Sequence, residues 1–314
     1  MEPLSQQTAA DRIIKTEPFE SASKVTWRDY IEITKPGINK SNLVATFAGY
    51  WVAAGIHSFE FVTLLFALLG TALVIAGSCT LNNYIDRDID PLMERTKTRP
   101  VAEGRIRPSV AFWYGILLTA LGLFTLAFGV NLLAAILGFI GFFVYVLIYS
   151  TWLKRTSTSN TVVGSFSGAI PPMIGWVAVT SHLDLNAWAL FLILFMWQPP
   201  HFFALAMRKA DDYRAAGIPM LPVVKGATET KKQTLFFTVL LFLSSLLLFY
   251  TGACGWIYLV FALVLGGIYI ALACRGFKTQ DDEKWAKQLF FYSLLYLTAI
   301  LFAMVLDVTV YDLI

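Results

Sequence analysis

FVTLLFALLGTALVIAGSCTL occupies residues 61–81, and NNYIDRDIDPLMERTKTRP follows it at once over residues 82–100. The first stretch is 21 residues without a charged side chain, long enough to cross a bilayer core as a helix. The second packs four acids and four bases into 19 residues. A span that runs straight into so dense a charge cluster needs a reason for the charges to be there.

The chain as a whole has the same character. Of its 314 residues 57% are hydrophobic and only 14% charged, against roughly 25% charged in soluble domains. Its mean hydropathy is +0.64. Apolar runs recur near residues 42–56, 61–81, 110–128, 132–150, 161–179, 186–206, 234–252, 255–273 and 289–306. They are continuous rather than alternating, and only helices satisfy their own backbone in lipid, so strands are excluded. The expectation is an all-α polytopic membrane protein with nine transmembrane helices. Residues 1–27 are polar, lack a signal-peptide apolar core and read as a cytoplasmic tail, with a membrane domain over 28–314. Cys79, Cys254 and Cys274 are scattered without metal-site spacing and read as packing residues.

The bases choose the side. Successive same-side segments hold six, six, two, six and four Lys or Arg, all 24 in the chain, while the connections HSFE, FGVN, SHLDLN and TGACGW hold none. By the positive-inside rule the N-terminus is cytoplasmic and the C-terminus outside. The charged end therefore belongs to the cytoplasm.

If the second span continues as helix, Asn82, Asp86 and Asp90 fall at i, i+4 and i+8. They then share one face within about 40° per step, and Asp88 points elsewhere. Pro91 sets the helix end near Asp90. These acids lie at a helix C-terminus, where the macrodipole is already negative and carboxylates are disfavoured. A divalent cation resolves the conflict: Mg²⁺ takes a few carboxylates together with substrate phosphates. Arg95, Lys97 and Arg99 follow as candidate phosphate ligands. A solvated loop of self-neutralising charges remains the alternative.

RKADDYRAAGIPMLPVVKG, residues 208–226, repeats the pattern after the sixth span: Asp211 and Asp212 at the end of an inward-running helix, beside Arg208, Lys209 and Arg214. Two such loops fit two clusters facing each other across an Mg²⁺-bridged diphosphate. Upstream, WQPPHFFALAM puts Pro199 and Pro200 inside the span, where they are expected to interrupt or kink it, and His201 roughly 15 Å deeper than Asp211. An ionisable group at that depth is a functional candidate, the alternative being a histidine bonded to backbone freed by the prolines. Lys154, after the fourth span, is a third phosphate contact or a snorkelling anchor. Gly164 and Gly168 have the spacing of close helix packing. A transporter would place acids near mid-membrane, whereas the far-side connections offer only Glu60 and Asp184.

NNYIDRDID resembles the first aspartate-rich motif of the UbiA superfamily of intramembrane aromatic prenyltransferases. DRDIDPLMERTKTRP, YSTWLKRTSTSN, WQPPHFFALAMRKADDYRAAGIPMLPVV and ITKPGI further resemble the haem O synthase branch of it, from about Thr34 through the ninth span. The resemblance implies a helix bundle capped by two cytoplasmic loops, in a bacterial cytoplasmic membrane. It implies farnesyl transfer from farnesyl diphosphate to haem B, with Mg²⁺ as cofactor and no nucleic acid. Downstream partners would be haem A synthase or terminal-oxidase assembly factors. Asn82, Asp86, Asp90, Asp211 and Asp212 match metal positions; Asn83, Arg95, Lys97, Arg99, Lys154 and Lys209 match diphosphate positions; His201 is the haem-binding candidate. Asn83 stands where many members carry Asp, and the second motif is an adjacent rather than a spaced pair.

Overall fold

The computed structural model describes residues 25–313, so the tail expected over 1–27 lies almost wholly outside the described residues. All the elements are helical: α1 (Trp27–Glu32), α2 (Pro36–Ala54), α3 (Phe61–Ile85), α4 (Pro108–Gly129), α5 (Leu132–Thr156), α6 (Asn160–Thr180), α7 (Leu185–Arg208), α8 (Ala210–Ala215), α9 (Leu221–Tyr250), α10 (Trp256–Arg275) and α11 (Asp282–Leu313). Eight of them, α3 to α7 and α9 to α11, are long and apolar enough to cross a membrane. Nine spans were expected; the first expected run falls on α2, a 19-residue helix whose first turns carry Asn39, Lys40, Ser41 and Asn42 and which is not among these eight.

Helices overrun the apolar runs because backbone hydrogen bonding does not stop where lipid does. The run at 289–306 sits inside α11, and the run at 234–252 begins well inside α9, which starts at Leu221, bends at Gly226 (φ 76°, ψ 179°) and ends at Tyr250. At α3 the reverse happens. The α-helix stops at Ile85, not near Asp90, and the chain continues in two tight 3₁₀ turns, Asp86–Asp88 and Asp90–Leu92. Pro91 has no N–H for an i−4 bond, and the shorter turns Ile89 N–H to Asp86 O (3.0 Å) and Met93 N–H to Asp90 O (3.2 Å) take over. The tightening keeps both carboxylates turned inward.

Two local departures shape the interior. Between Val144 and Leu153, α5 winds in wider π-type turns, with Ser150 Oγ donating to Tyr145 O at 2.8 Å; such bulges concentrate at functional sites. In α7 the helix runs on through Pro199 and Pro200. The Gly164–Gly168 spacing does mark close packing: a Cβ would stand 3.0 Å from the Tyr149 ring at Gly164 and 2.3 Å from Gln198 Oε1 at Gly168.

The two acid-bearing loops dock on each other. Ile89 and Met93 from the first pack with Ala206, Tyr213, Ile218 and Met220 from the second as one small apolar cluster. That cluster holds the Asp86–Asp90 and Asp211–Asp212 segments to the same end of the bundle.

Candidate active site

Asp86 is fully buried and Asp90 nearly so, with 0% and 1% of their surfaces exposed. Isolated buried carboxylates are untenable, so the partners decide what the site is. Asp86 Oδ2 accepts from Asn82 Nδ2 at 2.9 Å and forms an ion pair with Lys154. The Asn82 amide also donates to Ser150 Oγ at 3.0 Å, tying the end of α3 to the π-turns of α5. Both carboxylate oxygens of Asp90 are taken by Arg99, at 2.9 and 2.7 Å. Asp88 points outward, as its register predicts, and Arg155 grips it at 2.7 Å through both guanidinium ends.

A further cation, outside the set expected from sequence, enters from the start of α2. Lys35 reaches the Asn82 Oδ1 oxygen. Its backbone is left-handed at φ 52° and it precedes Pro36, two unfavourable circumstances at one residue. Strain of this kind costs on the order of 1–3 kcal/mol and persists where the surroundings over-determine it. Here Asn83 does part of that: its Nδ2 donates to Ile33 O and Cys79 O, both at 2.9 Å, pinning the segment that carries Lys35 to α3. Burial of the ammonium, and next the neighbouring Arg99 guanidinium, pull the Lys35 pKa down to about 8. An anion placed beside it reverses that penalty.

Two buried carboxylates are therefore met by three cations, Lys35, Arg99 and Lys154. The surplus positive charge suits an anionic ligand with several oxygens. Arg95 is exposed, and Lys97 is half-exposed and paired with Glu94 at 2.7 Å, so of the three bases after the first motif only Arg99 touches its acids. In the second loop Asp211 is exposed and paired with Arg214, whereas Asp212 turns inward, 3.9 Å from Lys209 Nζ.

Among the described residues no three His, Cys, Asp or Glu side chains converge as a metal site. A fit to Mg²⁺ rests on a smaller donor set: Asp86 Oδ1 and Asp212 Oδ2 are both enclosed and have no hydrogen-bond partner. Orphaned buried oxygens need an explanation. Mg²⁺, which keeps waters and needs only one or two carboxylates beside a phosphate, supplies one. Asp90, Asn82 and Asp211 are already engaged by Arg99, Lys35 and Arg214.

Sequence reading missed Lys35, Ser150 and Arg155. Lys35 and Arg155 obey the positive-inside rule, which hides any second role. The only local signal for Lys35 is a base wedged before the proline that opens α2.

Residues 42–295 match the UbiA prenyltransferase family. The chain belongs to that family. It is 49% identical to the protohaem IX farnesyltransferase of Alkalihalophilus pseudofirmus, over 95% of this chain and 97% of that protein. It is likewise 49% identical to protohaem IX farnesyltransferase 2 of Bacillus subtilis, over 95% and 98%. Among solved structures, a digeranylgeranylglyceryl phosphate synthase superposes with a TM-score of 0.77 at 18% identity, covering 90% of this chain and 98% of that one. A UbiA homologue from Archaeoglobus fulgidus, bound to GPP and Mg²⁺, gives 0.62 at 18% identity, over 88% and 99%. The fold is thus that of a UbiA prenyltransferase, a multi-pass membrane bundle, and the Asp86 cluster lies where its two acidic loops meet.

Proposed function

We propose that this chain transfers the farnesyl group of farnesyl diphosphate to the 2-vinyl group of haem B, adding water to give haem O and free diphosphate. The single observation that carries the reading is the near-full-length likeness to relatives named for that reaction.

In this reading the C1–O bond of farnesyl diphosphate breaks with its electron pair leaving on the diphosphate. Lys35, Lys154 and Arg99 hold the diphosphate oxygens, and their fixed charge matches the negative charge as it grows there. Asp86 and Asp212 would hold Mg²⁺, which would supply further charge neutralisation at the leaving group. Lys97, Lys209 and Arg95 stand at the rim and steer the anion inward. The vinyl π pair forms the new C–C bond, and water adds to the resulting cation and gives up a proton. The apolar walls keep bulk water from the farnesyl chain before that bond has formed. The acid-bearing end faces the cytoplasm of a bacterial cell, N-terminus inside.

Purified protein in detergent, given haem B, farnesyl diphosphate and Mg²⁺, is expected to yield a later-eluting porphyrin on reversed-phase chromatography, with the hydroxyethylfarnesyl mass and none formed in EDTA. Unmodified haem alongside prenylation of a quinone precursor would overturn the acceptor. Lys35→Met is expected to raise the KM for farnesyl diphosphate at least tenfold, one lost charge-assisted contact being worth about 1.5–3 kcal/mol. An unchanged KM would remove Lys35 from the diphosphate site.

A further inference from the structure

Buried hydroxyls in this bundle mostly close on their own helix at i−4, as Thr80 does on Ala76 O (2.8 Å) and Ser165 on Thr161 O (2.7 Å). Ser293 in α11 and Ser150 in α5 also meet a side chain of another helix. Ser293 Oγ stands 2.7 Å from Nδ1 of His201, whose ring is stacked between Trp197 and Phe290. Ser150 is the one that reaches the acid cluster.

Ser150 is fully buried, and its hydroxyl donates to Tyr145 O, five residues back, at 2.8 Å. That i−5 step belongs to the wide turns between Val144 and Leu153. Such a turn takes in one residue more than an α turn, which re-aims the residues past it by about 100°. The next residue, Thr151, keeps the i−4 bond to Leu147 O and is exposed. The serine faces α3 while the threonine faces out.

The Ser150 hydroxyl has one proton, committed to a carbonyl that can only accept, so toward Asn82 its oxygen is purely an acceptor. The Asn82 amide is thereby saturated. One N–H goes to Asp86 Oδ2 at 2.9 Å, the other to Ser150 Oγ at 3.0 Å, and Oδ1 accepts from the Lys35 ammonium. Asp86 and Lys35 by themselves would leave the second N–H without a partner in a residue that is only 3% exposed. An unpaired buried donor is costly. The amide escapes that cost by turning about its soft last torsion, which carries Oδ1 off Lys35. Ser150 removes the reason to turn. The ammonium has three N–H groups, and a fixed contact with Asn82 leaves two of them aimed at a ligand.

We propose that Ser150 is a positioning residue for the Lys35 ammonium, acting through the Asn82 amide, an inference that rests on the reading above in which Lys35 holds the diphosphate. Hydrogen bonding is all that is involved: Ser150 touches neither substrate and transfers no proton. The wide turns of α5 serve to bring its hydroxyl to α3.

The test is a double-mutant cycle on the full-length protein in detergent, with Mg²⁺ and farnesyl diphosphate and no acceptor. Calorimetry reads the dissociation constant and thermal melting reads the fold. Ser150→Ala is expected to weaken farnesyl diphosphate about tenfold. Ser165→Ala is the control: that hydroxyl is equally buried and bonds only to its own helix, so its loss should leave the affinity within twofold. In a Lys35→Met background Ser150→Ala should weaken binding less than threefold further, because the group it positions is gone. Should Ser150→Ala fail to fold, Ser150→Cys, close in volume and with a weak acceptor sulfur, runs the same cycle. Unchanged affinity in a folded Ser150 variant overturns the proposal. So does an equal tenfold loss with and without Lys35, since damage to packing would simply add to the loss of the charge. The chromatographic assay with haem B on the same samples separates the two claims. Farnesylated haem with an additive cycle sinks only the role of Ser150. A coupled cycle without farnesylated haem sinks only the transfer reaction.

Discussion

Asp86→Asn is expected to lower farnesyl transfer by about two to three orders of magnitude, the loss seen when one preorganised electrostatic partner of a transition state is removed. The substitution keeps the shape of the side chain and its contact with Asn82. It removes the charge that balances Lys154 and weakens the orphaned Oδ1 as a donor to a cation. Folding is the competing explanation, because breaking a buried ion pair costs about 3–5 kcal/mol when the other charge is stranded. Lys154 is 12% exposed at its side chain, so the stranded ammonium has some access to water. The double variant Asp86→Asn/Lys154→Met removes both charges and should melt close to the wild type while remaining inactive. Activity of the single variant within tenfold of wild type would exclude Asp86 from the reaction. Recovery of activity in the double variant would mean that the charge pair serves stability alone.

Gly175→Ala is expected to cost about 3 kcal/mol or more, the upper end of what overpacking produces. At this crossing α2 and α6 touch backbone to backbone. A Cβ on Gly175 would stand 2.0 Å from Thr46 O and 2.6 Å from Tyr50 N, and one on Gly49 would stand 2.1 Å from Pro172 O. Main-chain atoms cannot swing aside as a flexible side chain does, so the two helices must part along their length. Thermal unfolding in detergent should show a melting temperature lower by about 6–12 °C, taking 2–4 °C per kcal/mol for a chain of this size. Gly267→Ala in α10 is the control, since a Cβ there meets nothing within 4 Å, and it should melt within about 2 °C of wild type. A Gly175→Ala protein that melts like the control would mean that the α2–α6 crossing is looser than its geometry. Because Lys35 sits at the mouth of α2, displacement of this helix also moves a cation of the site.

Much of the fold was legible because it depends on one-dimensional quantities. Continuous apolar runs of bilayer length can only be helices, and eight of the runs are found in helices long and apolar enough to cross a membrane. The exception is α2, where a shorter run with polar first turns is helical in the bundle and long enough, but falls short of the apolarity that marks a span on its own. The first acids were legible for the same kind of reason: carboxylates at the C-terminus of α3 contradict the macrodipole, and a local contradiction is visible without coordinates; Asp211 and Asp212, expected at a helix C-terminus as well, lie instead in the first turn of α8, where the macrodipole favours them. The helix end was misplaced by a few residues, since the choice between α and 3₁₀ turns at Asp86 depends on where the carboxylates find partners.

What the sequence determined by itself is therefore the list of participants: helices, the charged end, Asp86 and Asp90, and a histidine inside a span. Only the tertiary structure decided who meets whom. It selected Lys154, Lys35 and Arg99 from 24 bases and left Asp86 Oδ1 and Asp212 Oδ2 without a hydrogen-bond partner. The reason is that neutralising a buried charge or placing a proton depends on contacts of about 3 Å between residues tens of positions apart, and no periodicity along the chain encodes that distance.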